Sequence, residues 1–77
     1  MLQVDLYDSD YRIARTVGEV CGRFGRVSMV RVHRKPHAFA LVDMASREQA
    51  LELSFRFGGS TFGNCALVHL QTLLEAA

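Results

Sequence analysis

The stretch His37-Ala38-Phe39-Ala40-Leu41-Val42-Asp43-Met44 decides how the chain is read. From Ala38 it alternates, with Ala38, Ala40, Val42 and Met44 on one side and Phe39, Leu41 and Asp43 on the other. A period of two sustained over this length is a β-strand with one face in a core. The second face carries a phenylalanine and a leucine where a half-buried strand ordinarily shows polar side chains. That face therefore either meets a ligand or is covered by another part of the chain. Leading into it is the basic run Arg31-Val32-His33-Arg34-Lys35-Pro36.

Working outward, Val27–Val32 reads as the preceding strand, with Val30 and Val32 inward and Met29, Arg31 and His33 outward. His33–Pro36 is the short connection between the two strands. Downstream, Ser46 with Gln49 three residues on is a capping box that opens a helix. Its inward stripe is Ala50, Leu53, Ser54 and Phe57, which leaves Leu51 and Phe55 off the stripe. Gly58-Gly59 stops that helix, Ser60–Asn64 is a polar loop pinned by Phe62, and Cys65–Leu70 is a last strand with Ala66, Val68 and Leu70 inward. At the start, Leu2-Gln3-Val4-Asp5-Leu6 alternates as a strand with Leu2, Val4 and Leu6 inward. Asp8-Ser9-Asp10 supplies capping oxygens for a first helix, in which Ile13, Val17, Val20 and Phe24 form one stripe and Gly25 suits the stop. Gly18 and Gly22 weaken that helix by ~1 kcal/mol each relative to alanine, so packing has to hold it.

The order strand, helix, strand, strand, helix, strand predicts an α+β domain over residues 1–70. Two such halves make a ferredoxin-like β-α-β-β-α-β sandwich, a four-stranded antiparallel sheet with two helices on one face. Residues 71–77 are a tail that a short helix would fit, and Leu73 and Leu74 would let it cover Phe39.

The 77 residues suit one small domain, and 49% apolar with 22% charged residues excludes a disordered segment. A net charge of +1 sets up no bulk field toward a polyanion, so any nucleic-acid contact has to come from a local cluster. Cys21 and Cys65 are too few and too far apart for a disulfide framework or a zinc site. They read as free thiols in a reducing compartment, with Cys21 in or near the core. No apolar run approaches the roughly 18 residues of a membrane helix, and no signal peptide precedes the first strand.

From Leu2 to about Leu70 the chain resembles an RNA recognition motif. Phe24-Gly25-Arg26-Val27 followed by Met29-Val30-Arg31-Val32 is similar to the family's junction between first helix and second strand. His37–Met44 stands where the longer ribonucleoprotein motif belongs and Leu2–Tyr7 where the shorter one does, while Gly59, Phe62 and Gly63 fit the loop before the last strand. In the family, aromatics at the third and fifth places of the longer motif and the second place of the shorter stack on RNA bases. Those places hold Phe39, Leu41 and Gln3 here, with His37 at the usually basic first place and Ala38 at the usual glycine. The pattern is somewhat like the polypyrimidine-tract-binding type, which uses aliphatic contacts, polar sheet side chains and the last strand. The resemblance implies a module of a larger RNA-processing protein, nuclear or nucleocytoplasmic.

Alternation sends Arg31 and His33 to the open sheet face and Arg34 and Lys35 to the hairpin tip. Cations bordering an open sheet suit a phosphate backbone, because counterion release drives association. Met29, Leu41 and Leu67 widen the apolar patch around Phe39, and His33, His37 and His69 add hydrogen-bonding groups. These histidines are scattered over strand positions without a thiolate or carboxylate cluster, so no metal is expected, and no cofactor. No nucleophile elbow, glycine-rich phosphate loop or paired carboxylates point to catalysis. The acidic Asp8-Ser9-Asp10 also repels phosphate, unlike the loop of acylphosphatase-like enzymes. The expectation is single-stranded RNA bound through Gln3, Arg31, His33, Arg34, Lys35, His37, Phe39, Leu41, Leu67 and His69. The competing expectation is a protein-interaction or dimerisation module, using the apolar sheet face or Leu51 and Phe55.

Overall fold

The protein is described by a computed structural model covering residues 1–73. Helix α1 (Asp10–Cys21) opens where Ser9 sits extended and its hydroxyl accepts the Arg12 amide at 3.2 Å. Ile13, Val17 and Cys21 are buried along its inner stripe. The helix ends at Cys21, capped by Gly22, about a turn before the Gly25 stop that the spacing predicts. Phe24 lies beyond it and meets Phe57 edge-on, with ring centroids 6.0 Å apart. Helix α2 (Arg47–Phe57) opens on Ser46, whose hydroxyl accepts the Gln49 amide at 3.2 Å. The reciprocal half of the capping box is not made, because the Gln49 side chain packs against Gly25. Its buried Oε1 finds no partner among the described residues. Gly58 ends α2 in the left-handed conformation, at φ 71°.

Strand β1 is Leu2–Val4, β2 is Val27–His33, β3 is Phe39–Met44, β4 is the two-residue Thr61–Phe62, and β5 is Cys65–Thr72. They form one five-stranded sheet in the order β1-β5-β3-β2, with β4 paired to β5. The β2–β3 and β3–β5 pairs are antiparallel, whereas β1 and β5 are parallel. The α+β class is as expected. The sheet differs from the expected four antiparallel strands, because it is mixed and its last strand is central.

The physical reason lies after α2. Gly63, at φ 62°, and Asn64 make a two-residue hairpin turn between β4 and β5. Asn64 holds that turn to the end of β3, its Nδ2 donating to the Met44 carbonyl and its own carbonyl accepting the Met44 amide, each at 2.8 Å. A strand leaving α2 directly would run parallel to β3; the hairpin reverses the chain, so β5 runs antiparallel to β3 and fills the slot beside it. β5 then continues past Leu70, with Gln71 and Thr72 paired to Gln3 and Val4. The Leu73 amide donates to the Val4 carbonyl at 2.9 Å. The segment expected to begin a helical tail at Gln71 therefore begins as strand, and the expected cover by Leu74 lies outside the described residues.

Both helices pack on the same side of the sheet. Leu2, Val4, Ala40, Val42, Met44, Ala66, Val68 and Leu70 point from the strands into one cluster with Ile13, Val17, Cys21, Ala50 and Leu53. Ser54 is buried among them; its hydroxyl donates to the Ser60 carbonyl at 2.8 Å and accepts from the Thr61 hydroxyl at 2.9 Å. This pair, rather than Phe62, pins the loop after α2, since Phe62 is 61% exposed. Gly59 is required by close approach, as a Cβ there would overlap the Leu67 carbonyl oxygen.

Candidate functional site

The sheet face away from the helices carries side chains in rows fixed by register. His33, Phe39 and His69 stand side by side on β2, β3 and β5. His33 stacks on Phe39 with ring centroids 4.9 Å apart and planes 12° from parallel. The next row is Arg31, Leu41 and Leu67. Beyond it come Met29, Asp43 and Cys65, where a register shift between Val27 and Met29 leaves Ser28 and Met29 both exposed. At the other end Gln3 lies beside Gln71.

Seven residues singled out from the sequence thus share one face: Gln3, Arg31, His33, Phe39, Leu41, Leu67 and His69. The central β5 changes their neighbours. Gln3, on the edge strand β1, is separated from Phe39 by β5, and the place beside Phe39 belongs to His69. Lys35 and His37 are exposed on the connection between β2 and β3. Arg34 is not a free tip cation. Its Nε donates to the Asp10 carboxylate at 2.8 Å, and its terminal nitrogens donate to the carbonyls of Leu6 at 2.6 Å and Asp8 at 2.9 Å. It clamps the hairpin to the β1–α1 connection. Leu51 and Phe55 are exposed on α2, on the opposite side of the molecule from these rows.

Arg31 reaches the Asp43 carboxylate at 3.8 Å, with its own side chain half exposed. Such a loose surface pair contributes ~0–1 kcal/mol and exchanges readily for another anion. Burial, then the hydrogen bond and charge of Asp43, push the Cys65 thiol up. Burial alone pushes the Cys21 thiol up to about 11. Both thiols are therefore protonated near neutral pH and poor nucleophiles. Among the described residues no group of three or more His, Cys, Asp and Glu side chains could hold a metal ion, and no helix is long and apolar enough to cross a membrane.

Sequence reasoning missed Gln71 on this face, having assigned it to the tail. The signal was present: the alternation of Ala66, Val68 and Leu70 continues with Gln71 outward. Comparisons with protein-family models, curated proteins and solved structures find no match to this chain. The chemistry of the site alone therefore carries any functional reading.

Proposed function

We propose that the domain binds single-stranded RNA across its open sheet face, as a divergent RNA recognition motif serving a larger RNA-processing protein in the nucleus. The observation that carries this is the row of flat rings His33, Phe39 and His69 across three adjacent strands. The His33 and Phe39 rings already stack on one another, and a base can extend that stack from its free face at ~1–3 kcal/mol per base. Leu41 and Leu67 continue the platform as aliphatic contacts. Arg31, Lys35 and His37 border it and meet phosphate oxygens, which position the strand without reading its sequence. For Arg31 this means exchanging the Asp43 carboxylate for phosphate. The order of elements and the single-sided helices support a ferredoxin-like ancestry for the fold, with the last strand moved to the centre of the sheet.

The test is a residue-by-residue NMR titration with short pyrimidine- and purine-rich RNAs. Shifts are expected on His33, Phe39, Leu41, Leu67 and His69, and Phe39→Ala should weaken binding by ~1–3 kcal/mol. Absence of shifts on this face with every oligomer refutes the reading. A second reading rests on Phe55, 91% exposed, with Leu51 one turn earlier at 46%. Exposed apolar side chains at this spacing on a helix suit a protein partner. Self-association in sedimentation that is lost on Phe55→Asp would favour it.

A further inference from the structure

We infer that Gln3 and Gln71 form an adenine-reading site at the β1–β5 end of the open face; this rests on the RNA reading above. The two residues are register partners on parallel strands. Their neighbours Leu2, Val4 and Leu70 point into the core, so both glutamine side chains leave the sheet on the open face, and both are exposed. Adjacent strands lie about 4.7–4.9 Å apart, which sets two primary amides side by side. Along β5, Gln71 is two residues from His69, the register partner of Phe39. The amides thus stand one step, about 7 Å, from the ring row. A base beside one stacked on that row falls over them.

Each amide offers one acceptor and two donor hydrogens on neighbouring atoms. A single amide finds a matching edge on several bases; two amides converging on one base select more sharply. The N6 amino group of adenine carries two hydrogens and lies between N1 and N7, both acceptors. One glutamine can accept from N6 and donate to N7, while the other accepts the second N6 hydrogen and donates to N1. The N4 amino group of cytosine has a ring acceptor on one side only, and the N2 amino group of guanine lies between a donor and an acceptor. Uracil has no amino group. Guanine also has two donor–acceptor pairs, N1–H with O6 and N2–H with N3, but adenine alone brings both amides onto one amino group, the closer spacing that suits two amides on register partners of adjacent strands.

The test is fluorescence anisotropy with labelled single-stranded oligo-U and with the same oligomer carrying one central A, C or G. The A-containing oligomer should bind the wild-type protein about 5- to 150-fold more tightly than oligo-U, the discrimination one good amide–adenine pair provides. Gln3→Ala and Gln71→Ala should each reduce that preference, read as the ratio of A-containing to oligo-U affinity, and leave the melting temperature unchanged. N6,N6-dimethyladenine, which has lost both N6 hydrogens, should bind no better than U. A preference for another base, or an adenine preference that survives both substitutions, overturns the inference while leaving RNA binding in place. Failure of the wild-type protein to bind any of the oligomers overturns both.

Discussion

Replacing Arg34 with alanine separates a phosphate contact from a structural clamp at the hairpin tip. The guanidinium holds two backbone carbonyls, Leu6 and Asp8, and the Asp10 carboxylate. The Arg34 and Asp10 side chains are 41% and 65% exposed, so the ionic part contributes at most about 1 kcal/mol. Hydrogen bonds from a charged donor contribute ~1.5–3 kcal/mol when desolvated, and partial exposure puts this carbonyl pair toward the lower end. A loss of about 2 kcal/mol is expected in all. For a domain of this size each kcal/mol moves Tm by about 4–8 °C, so Arg34→Ala should melt about 8–16 °C below wild type. Arg34→Lys should melt nearly as low, because an ammonium keeps the charge but cannot span three acceptors in a fork. Lys35→Ala, at an exposed position beside it, should melt with wild type.

The salt dependence of RNA affinity completes the test. Each phosphate neutralised on a single strand contributes ~0.7 to the slope of log affinity against log salt. Well below its melting point, Arg34→Ala should keep the wild-type slope, whereas Lys35→Ala should lower it by ~0.7. If Arg34→Ala instead melts with wild type and flattens the slope, the clamp is wrong and the guanidinium faces RNA.

The central place of the last strand predicts that the amides of β5 resist hydrogen exchange more strongly than those of Leu2–Val4; the opposite order of protection would put β1 in the middle. Ser54→Ala strips the Ser60 carbonyl and Thr61 hydroxyl of their buried partner and should cost ~1–3 kcal/mol in urea unfolding. Thiol labelling of the native protein should modify Cys65, faster as pH rises, and leave the fully buried Cys21 untouched. Because the native Cys21 thiol is held up to about 11, the unfolded chain loses that proton first. Stability should therefore fall as pH rises from the ordinary thiol range toward about 11, and Cys21→Ala should remove that part of the alkaline loss while creating a small cavity.

The strands and helices were legible because their periods differ. Alternation marks β3 from Phe39 to Met44, and the caps Ser9 and Ser46 mark both helix starts. Strand order was not legible from periodicity. Leu2 and Val4 alternate inward just as Ala66, Val68 and Leu70 do, so the pattern is the same whether β1 or β5 is central. The decisive feature is a two-residue reversal at Gly63-Asn64, read only as part of a polar loop. The clamp made by Arg34 was not legible for a related reason. Its partners at Leu6 and Asp8 are backbone carbonyls, which side-chain chemistry in the sequence does not advertise.

Whether the outer face of β3 is covered or meets a ligand turns on what surrounds Phe39. Both helices lie on the other side, and the partial burial of Phe39, Leu41 and Leu67 comes with register neighbours within the sheet. The order of chemistry across the face then matters. Rings and aliphatics occupy the middle, the Arg31–Asp43 pair borders them on one side, and two glutamine amides stand beyond them on the other. An apolar covering segment would satisfy the middle and strip water from both polar borders, at a cost of ~1–3 kcal/mol for each polar group left unpaired. A single strand of nucleotides offers flat faces, polar base edges and an anionic backbone within a few ångströms of one another. That sequence of surfaces matches the platform from the rings outward, and it supports the proposed RNA reading over cover by an apolar segment.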